Sequence, residues 1–365
     1  MTQQGRTVAV VGGGYGGAAV AKALDEHADV VLIEPKDAFV HAAGALRALT
    51  RPEEWAEQIF FPYSGVLKRG SHIREYAAAV DAGGVTLASG GRVEADYIVL
   101  ATGSAYPYPA KTRTDSTAEA LAHFKETHAE LAGAERVLIA GAGPVGLELA
   151  GEIRDVWPDK RITIVDPAAE LVPGYAEEFR AELVRQLAEL KVEVRLGAAF
   201  DAEPDVAPGR AGDVRASIGG ETVEADIWFR AYGASTNSGY LGEGLAPLNG
   251  RGQIAVTAKL NVDGHVNVYA VGDLTDVAEE KRAGAASKHA EVVAANIIAQ
   301  VNGEEPVEEY RPNPIRVILL PLGPEYGVGQ VPSEDGPVLM PTEQVAQWKG
   351  RDLMNGRFAD MFGAS

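Results

Sequence analysis

Apolar residues in this chain fall in short unbroken runs separated by stretches of helical period. That pattern predicts parallel strands buried on both faces and covered by helices. The first run, Val8 to Val11, passes directly into Gly12, Gly13, Gly14, Tyr15, Gly16 and Gly17, and then into an Ala-rich helix ending at Leu24. A second run, Val30 to Ile33, stops at Glu34. The same order returns at Val137 to Ala140, followed by Gly141, Ala142, Gly143, Pro144, Val145 and Gly146, a helix from Leu147 to Val156, and a strand from Arg161 to Val165 that stops at Asp166. Other elements follow from local pattern. Val85 to Ser89 and Arg92 to Ala95 flank Gly90-Gly91 as a hairpin, Asp96 to Leu100 reads as a strand, and Thr117 to Ala132 as a helix. Glu178 to Leu190 is an amphipathic helix, Val192 to Leu196 a strand, Gly209 to Ala225 a meander, and Ile227 to Tyr232 a closing strand. Asn267 to Val271 is a buried strand that delivers Gly272 and Asp273, with a helix from Ala283 to Gln300 after it. In the tail, Ile315 to Leu320 and Tyr326 to Val331 read as strands, and Gln344 onward as one helix with Met354, Phe358, Met361 and Phe362 on a single face.

Glycines at 12, 14 and 17, between a buried strand and a helix, form a dinucleotide-binding turn. Gly12 allows the tight turn, Gly14 lets a pyrophosphate approach, and Gly17 lets the helix pack on the strand. The helix N-terminus then faces the phosphates. A carboxylate at Glu34 accepts bonds from the ribose hydroxyls. Gly141, Gly143 and Gly146 with Asp166 make the second complete unit. Two such units argue for two dinucleotide sites in an α/β protein. The expected architecture is a discontinuous first domain at residues 1–108 and 239–305, a second domain inserted at 109–238, and a small α+β region at 306–365. Ala101-Thr102-Gly103-Ser104 marks the exit from the first half. Tyr232-Gly233-Ala234-Ser235-Thr236-Asn237 marks the return. The irregular stretch Pro35 to Gly70, with Phe39, His41, Arg47, Trp55, Phe60, Phe61 and Tyr63, reads as a cofactor-facing excursion.

Charge and composition narrow the function. The 365 residues carry 33 basic and 52 acidic side chains, a net charge of −19, which opposes nucleic-acid binding and broad docking on anionic lipid. There is no leader pattern, no run of membrane-spanning length and no second-position Gly for myristoylation, so a cytoplasmic protein is expected, with contact at the inner membrane face at most peripheral. Cysteine is absent. A redox disulfide, a thiolate nucleophile and a cysteine-held iron–sulfur cluster are therefore excluded from this chain. The seven His show no metal-ligand spacing, and no metal is expected. No Arg closely follows Asp166, since Pro167, Ala168 and Ala169 come next, which favours NADH over NADPH at the second site.

With these motifs in place the chain resembles the pyridine-nucleotide-disulfide oxidoreductase superfamily over nearly its whole length. Within it, the chain is most similar to the ferroptosis-suppressor, apoptosis-inducing-factor-like branch of NADH:quinone oxidoreductases. The finer likeness lies in Lys36-Asp37-Ala38-Phe39 with His41, in Ala45-Leu46-Arg47-Ala48, in Gly264-His265-Val266-Asn267-Val268-Tyr269, and in Lys349-Gly350-Arg351-Asp352-Leu353. The resemblance implies FAD at the first turn and NAD(H) at the second, with Glu148 near both rings and His41 and Lys349 around the acceptor pocket. It also places Arg47, Lys281, Ala285 and His289 along the cofactors. An aromatic that the branch carries after Arg-Asp-Leu is Met354 here, and the paired glutamines of type II NADH dehydrogenases are not evident in Ala285 to Asn296. A quinone acceptor is thus an implication of the resemblance. The tail's apolar face reads either as packing, on its own domain or a homodimer partner, or as a membrane or quinone-entry surface. Two other readings fit the same fingerprints: a reductase of a ferredoxin- or rubredoxin-type protein, and a NAD(H)-sensing flavoprotein with little turnover.

Overall fold

Five parallel strands make the first sheet, in the order Val268–Ala270, Tyr97–Leu100, Thr7–Val11, Asp29–Ile33, Ser71–Ile73. The computed structural model describes residues 5–242 and 245–364; the N-terminal Met-Thr-Gln-Gln, the site of the myristoylation argument, lies outside them. Val8, Val10, Ile98 and Val268 are fully buried, as expected for strands covered on both sides. The helix Tyr15–Leu24 crosses from the first strand to the second and packs against the long helix Ala283–Val301. Residues beyond 265 therefore complete a sheet begun at residue 7.

The second sheet has six strands, ordered Val192–Leu196, Arg161–Asp166, Arg136–Ala140, Glu221–Arg230, Ala211–Ile218, Phe200–Ala202. The first four are parallel, and the last two run antiparallel to their neighbours. Glu221–Arg230 merges one arm of the expected meander with the expected closing strand. No Gly or Pro interrupts it, so one ten-residue strand serves both pairings. Ser104–Ala105 pairs with Ser235–Thr236 where the chain passes between the two units, and Thr102 Oγ1 donates to the Asn237 carbonyl at 2.7 Å.

The stretch 35–70 feeds both cores. Leu46, Leu49 and Ile59 join the core of the second unit beside Leu147 and Ile153, while Phe39, Phe61 and Tyr63 enter the core of the first. It packs the two units together.

The tail adds a strand that the sequence pattern did not mark, Gly336–Met340, to Ile318–Pro321 and Gly327–Ser333. The single helix expected from Gln344 is broken. Thr342–Val345 leads into a widened π turn, Ala346–Gly350, and then Leu353 and Met354 take left-handed φ of 54° and 62° before the helix Asn355–Phe362 begins. That conformation is costly for side chains with a Cβ. Docking of the last helix holds it in place: Phe358 and Phe362 lie 5.6 and 4.8 Å from Phe39 between ring centres, and Phe362 stacks on Phe61 at 5.4 Å. Phe358 and Phe362 of the apolar face are thus covered by the chain's own first unit, while Met354 and Met361 stay half-buried.

Candidate functional site

The two glycine turns are the same device built twice. Gly12 has φ of 102°, and a Cβ there would sit 2.5 Å from the Ala101 carbonyl; one on Gly17 would sit 1.8 Å from the Gly12 carbonyl. In the second unit Gly141 has φ of 111° and 2.4 Å to the Ala231 carbonyl, and Gly146 has 2.0 Å to the Gly141 carbonyl. Packing of the chain on itself dictates those four glycines. At Gly14 and Gly143 a Cβ would meet nothing within 4 Å. Their smallness serves something outside the protein, which fits the close approach of a diphosphate. The helices starting at Tyr15 and Pro144 have no side-chain cap and no acid in the first turn, so their free N–H groups favour an anion. Val145 stays half-buried behind Pro144.

Each turn is braced by its acid. Glu34 Oε2 accepts from the Gly13 N–H at 2.6 Å and Oε1 from the Lys36 N–H at 3.0 Å. Asp166 Oδ2 accepts from the Ala142 N–H at 2.7 Å and Oδ1 from the Ala168 N–H at 2.8 Å. The carboxylates keep further lone pairs for hydroxyls. A cavity of about 380 Å³ opens at the second turn, with Gly143, Pro144 and Asp166 in its wall. The residues present fit two dinucleotides.

Three separate stretches converge beside the first turn. The Ala101 N–H donates to Val11 at 2.7 Å, Gly103 takes φ of 60°, and Ser104 Oγ donates to Asp273 Oδ2 at 2.5 Å. The Gly272 N–H donates to Nδ1 of the fully buried His289 at 3.0 Å. A Cβ on Gly16 would meet Val271 at 2.9 Å, so the first helix rests on the strand that carries Gly272. Lys111 was not singled out from sequence. It donates to the Ser104 carbonyl and lies 3.3 Å from Ser104 Oγ, and burial pushes its pKa down. It follows a Pro-rich connector with no motif around it, so only the structure reveals it. Lys281 donates to the Val277 carbonyl at 2.7 Å, with its pKa also lowered by burial. Ala285 is half-buried in the first turn of the helix that follows, whereas Gly233 is exposed, with φ of 90° and open space around it.

Between the two turns lies a largely buried pair. Lys349 Nζ donates to Glu148 Oε1 at 2.8 Å and to the Leu319 carbonyl at 3.1 Å. Burial raises the Tyr15 hydroxyl pKa, and the charge of Glu148 adds to that rise. His41 lies between the first helix and the tail. Its Nδ1 faces the Tyr15 hydroxyl at 3.1 Å and its Nε2 the Leu353 carbonyl at 2.8 Å. Burial pushes its pKa down to about 4. The neutral ring donates from Nε2 to Leu353 and accepts at Nδ1 from Tyr15, so it ties the tail to the first helix. Arg47 is held by protein partners. It is 1% exposed, clamps Glu152 through Nε at 2.9 Å and Nη2 at 2.6 Å, and donates to the carbonyls of Gly350 and Arg351. It joins both units to the tail.

Residues 6–295 match the model of a known family, the pyridine nucleotide-disulphide oxidoreductases. This chain belongs to that family. Its relatives include apoptosis-inducing factor homolog B of Dictyostelium discoideum, 31% identical over 352 residues and covering 91% of each chain. Ferroptosis suppressor protein 1 of Taeniopygia guttata is 31% identical over 335 residues, covering 89% of this chain and 88% of that one. Among solved structures, the sulfide:quinone oxidoreductase of Aquifex aeolicus superposes with a TM-score of 0.77 at 18% identity, covering 99% and 92%. A water-forming NADH oxidase from Lactobacillus brevis gives 0.65 at 19%, covering 92% and 74%. These likenesses show the fold: two Rossmann-type units in an α/β chain. As a member of the family's apoptosis-inducing-factor and ferroptosis-suppressor branch, the chain is an FAD-dependent NAD(P)H oxidoreductase, with FAD and NAD(H) as its cofactors. It does this without the cysteines that the family name evokes.

Proposed function

We propose that this protein oxidises NADH at the second glycine turn, holds FAD at the first, and passes two electrons to a small quinone-type acceptor. The observation that carries the reading is the pair of glycine turns, each with open space at its second glycine, Gly14 or Gly143, and each braced by an acid, Glu34 or Asp166. When bound, the pyridine nucleotide supplies a hydride and the flavin relays its two electrons onward. The chain's part is to hold and orient. Glu34 and Asp166 grip the adenosine riboses, and the two uncapped helix starts receive the diphosphates. Asp273, fixed by Ser104, supports the flavin's ribityl chain. The Glu148–Lys349 pair sets opposite charges where the rings meet.

NADH is favoured over NADPH because a 2′-phosphate at Asp166 would face that carboxylate, and Glu170 also lines the cavity. We assign residues 1–108 and 239–305 to the flavin unit, 109–238 to the nucleotide unit and 306–365 to the tail. The quinone acceptor is supported by the likeness to the ferroptosis-suppressor branch, at about 30% identity. Among the described residues no helix is long and apolar enough to cross a membrane, which supports contact that is peripheral at most. The test is anaerobic reduction by NADH and by NADPH, followed by reoxidation with a panel of soluble quinones. Faster bleaching by NADH and rapid quinone reoxidation are expected. A preference for NADPH would overturn the role of Asp166, and slow turnover with every quinone would overturn the acceptor.

A further inference from the structure

The cavity at the second turn is lined in part from outside its own unit. Asp166, Glu170 and Tyr175 belong to the nucleotide unit, but Glu280 and Arg282 come from the segment between Asp273 and the helix Ala283–Val301. Arg282 is the one cation among the described residues that line the cavity; the acids there are Asp166, Glu170 and Glu280. It is held in aim. Nε and Nη2 donate to Glu280 Oε2 at 2.9 and 2.5 Å, and Nη2 also donates to the Tyr175 hydroxyl at 2.5 Å. That hydroxyl donates in turn to Glu280. Burial and the neighbouring carboxylate push the Tyr175 pKa well up, so it keeps the proton it donates. Arg316, from the tail, lies 3.4 Å from Glu280 Oε1. Two guanidiniums thus share one carboxylate, and the cluster is net positive in a chain of net charge −19. Nη1 of Arg282 has no hydrogen-bond partner among the described residues, which leaves a charged donor on a residue that lines the same cavity as the bare backbone of Gly143.

We propose that Arg282 is a diphosphate-binding residue of the pyridine-nucleotide site, presented across the domain boundary and aimed by Glu280 and Tyr175. The proposal rests on the reading of the second turn as the NAD(H) site. A diphosphate seated there lies between the helix N-terminus at Pro144 and the guanidinium, so both its charges are matched. The nucleotide then braces the two units and the tail together, through Arg282 and the Glu280 that it shares with Arg316.

The test uses the FAD-loaded protein and ADP-ribose, which carries the diphosphate and no nicotinamide, with affinity read by calorimetry at several salt concentrations. Arg282→Gln is expected to weaken ADP-ribose about 10- to 100-fold and to flatten the salt dependence; Arg282→Lys should keep that dependence. Tyr175→Phe, which keeps the charge and loosens its aim, should cost less than about fivefold. An unchanged flavin spectrum shows that each variant is folded. The proposal is overturned if Arg282→Gln binds within about twofold of wild type. It is equally overturned if Arg282→Gln and Tyr175→Phe weaken binding alike with the salt dependence unchanged, since Arg282 would then only brace the wall. Wild-type protein that takes up FAD but binds no ADP-ribose would overturn both the proposal and the reading of the second site.

Discussion

Glu148 and Lys349 are 201 residues apart in sequence and meet at 2.8 Å in a site where each is less than a fifth exposed. Glu148→Gln removes the charge at the junction and leaves Lys349 without its carboxylate. Stopped-flow bleaching of the flavin by NADH should slow by about tenfold or more. An unchanged rate would refute the assignment. His41 is read through pH. Its folded pKa of about 4 lies below the ordinary 6.5, so between those values the unfolded chain holds more protons than the native one. Stability is full above pH 6.5 and falls as pH drops toward 4, by of order 3 kcal/mol for a shift of this size. Thermal melts across this window should show the loss, and His41→Gln should shrink the slope. The buried His289, with its pKa also lowered, adds a residual slope of the same sign. Glu34 and Asp166 were legible in sequence because each sits at a fixed place after a buried strand. The settings of His41 and Arg47 were not, because Leu353 and Glu152, which define them, lie 312 and 105 residues away.

The glycine turns separate folding from binding at the level of one element. Gly17→Ala would drive a methyl into the Gly12 carbonyl and should abolish the folded first unit. At Gly14 there is room, so Gly14→Ala should melt within a few degrees of the wild-type apoprotein yet lose most of its FAD affinity. Flavin content per chain and circular dichroism distinguish the two. A Gly14→Ala protein that stays fully yellow would contradict the assigned role. Strands and turns of this kind were readable because their period and punctuation are local. The tail was not. Met354, Phe358, Met361 and Phe362 keep helical spacing, and nothing in that spacing reveals that Leu353 and Met354 reverse their φ. Docking of Phe358 and Phe362 on Phe39 sets the break, and that contact spans more than 300 residues.

For the whole molecule, the Arg47–Glu152 pair and the two tail carbonyls on Arg47 fasten both units to the tail. Burial pushes the Glu152 pKa up while Arg47 opposes it. Arg47→Met alone leaves a buried carboxylate without a partner and should cost about 3–5 kcal/mol in urea unfolding of the FAD-loaded protein. Arg47→Met with Glu152→Leu should recover most of that loss. The likeness to a known superfamily and both cofactors were legible from two repeated local patterns. Clusters assembled from distant segments, Lys111 with Ser104 and Arg282 with Tyr175, carry no sequence signature of their own. The central claim is that one chain holds FAD and a pyridine nucleotide face to face and moves electrons between them without cysteine. Its most direct test is an anaerobic titration of the purified protein followed at the flavin's visible band. The account predicts a yellow protein with one FAD per chain, bleached by one equivalent of NADH. A colourless preparation that takes up no FAD from excess, or a yellow one that NADH leaves unbleached, would contradict it.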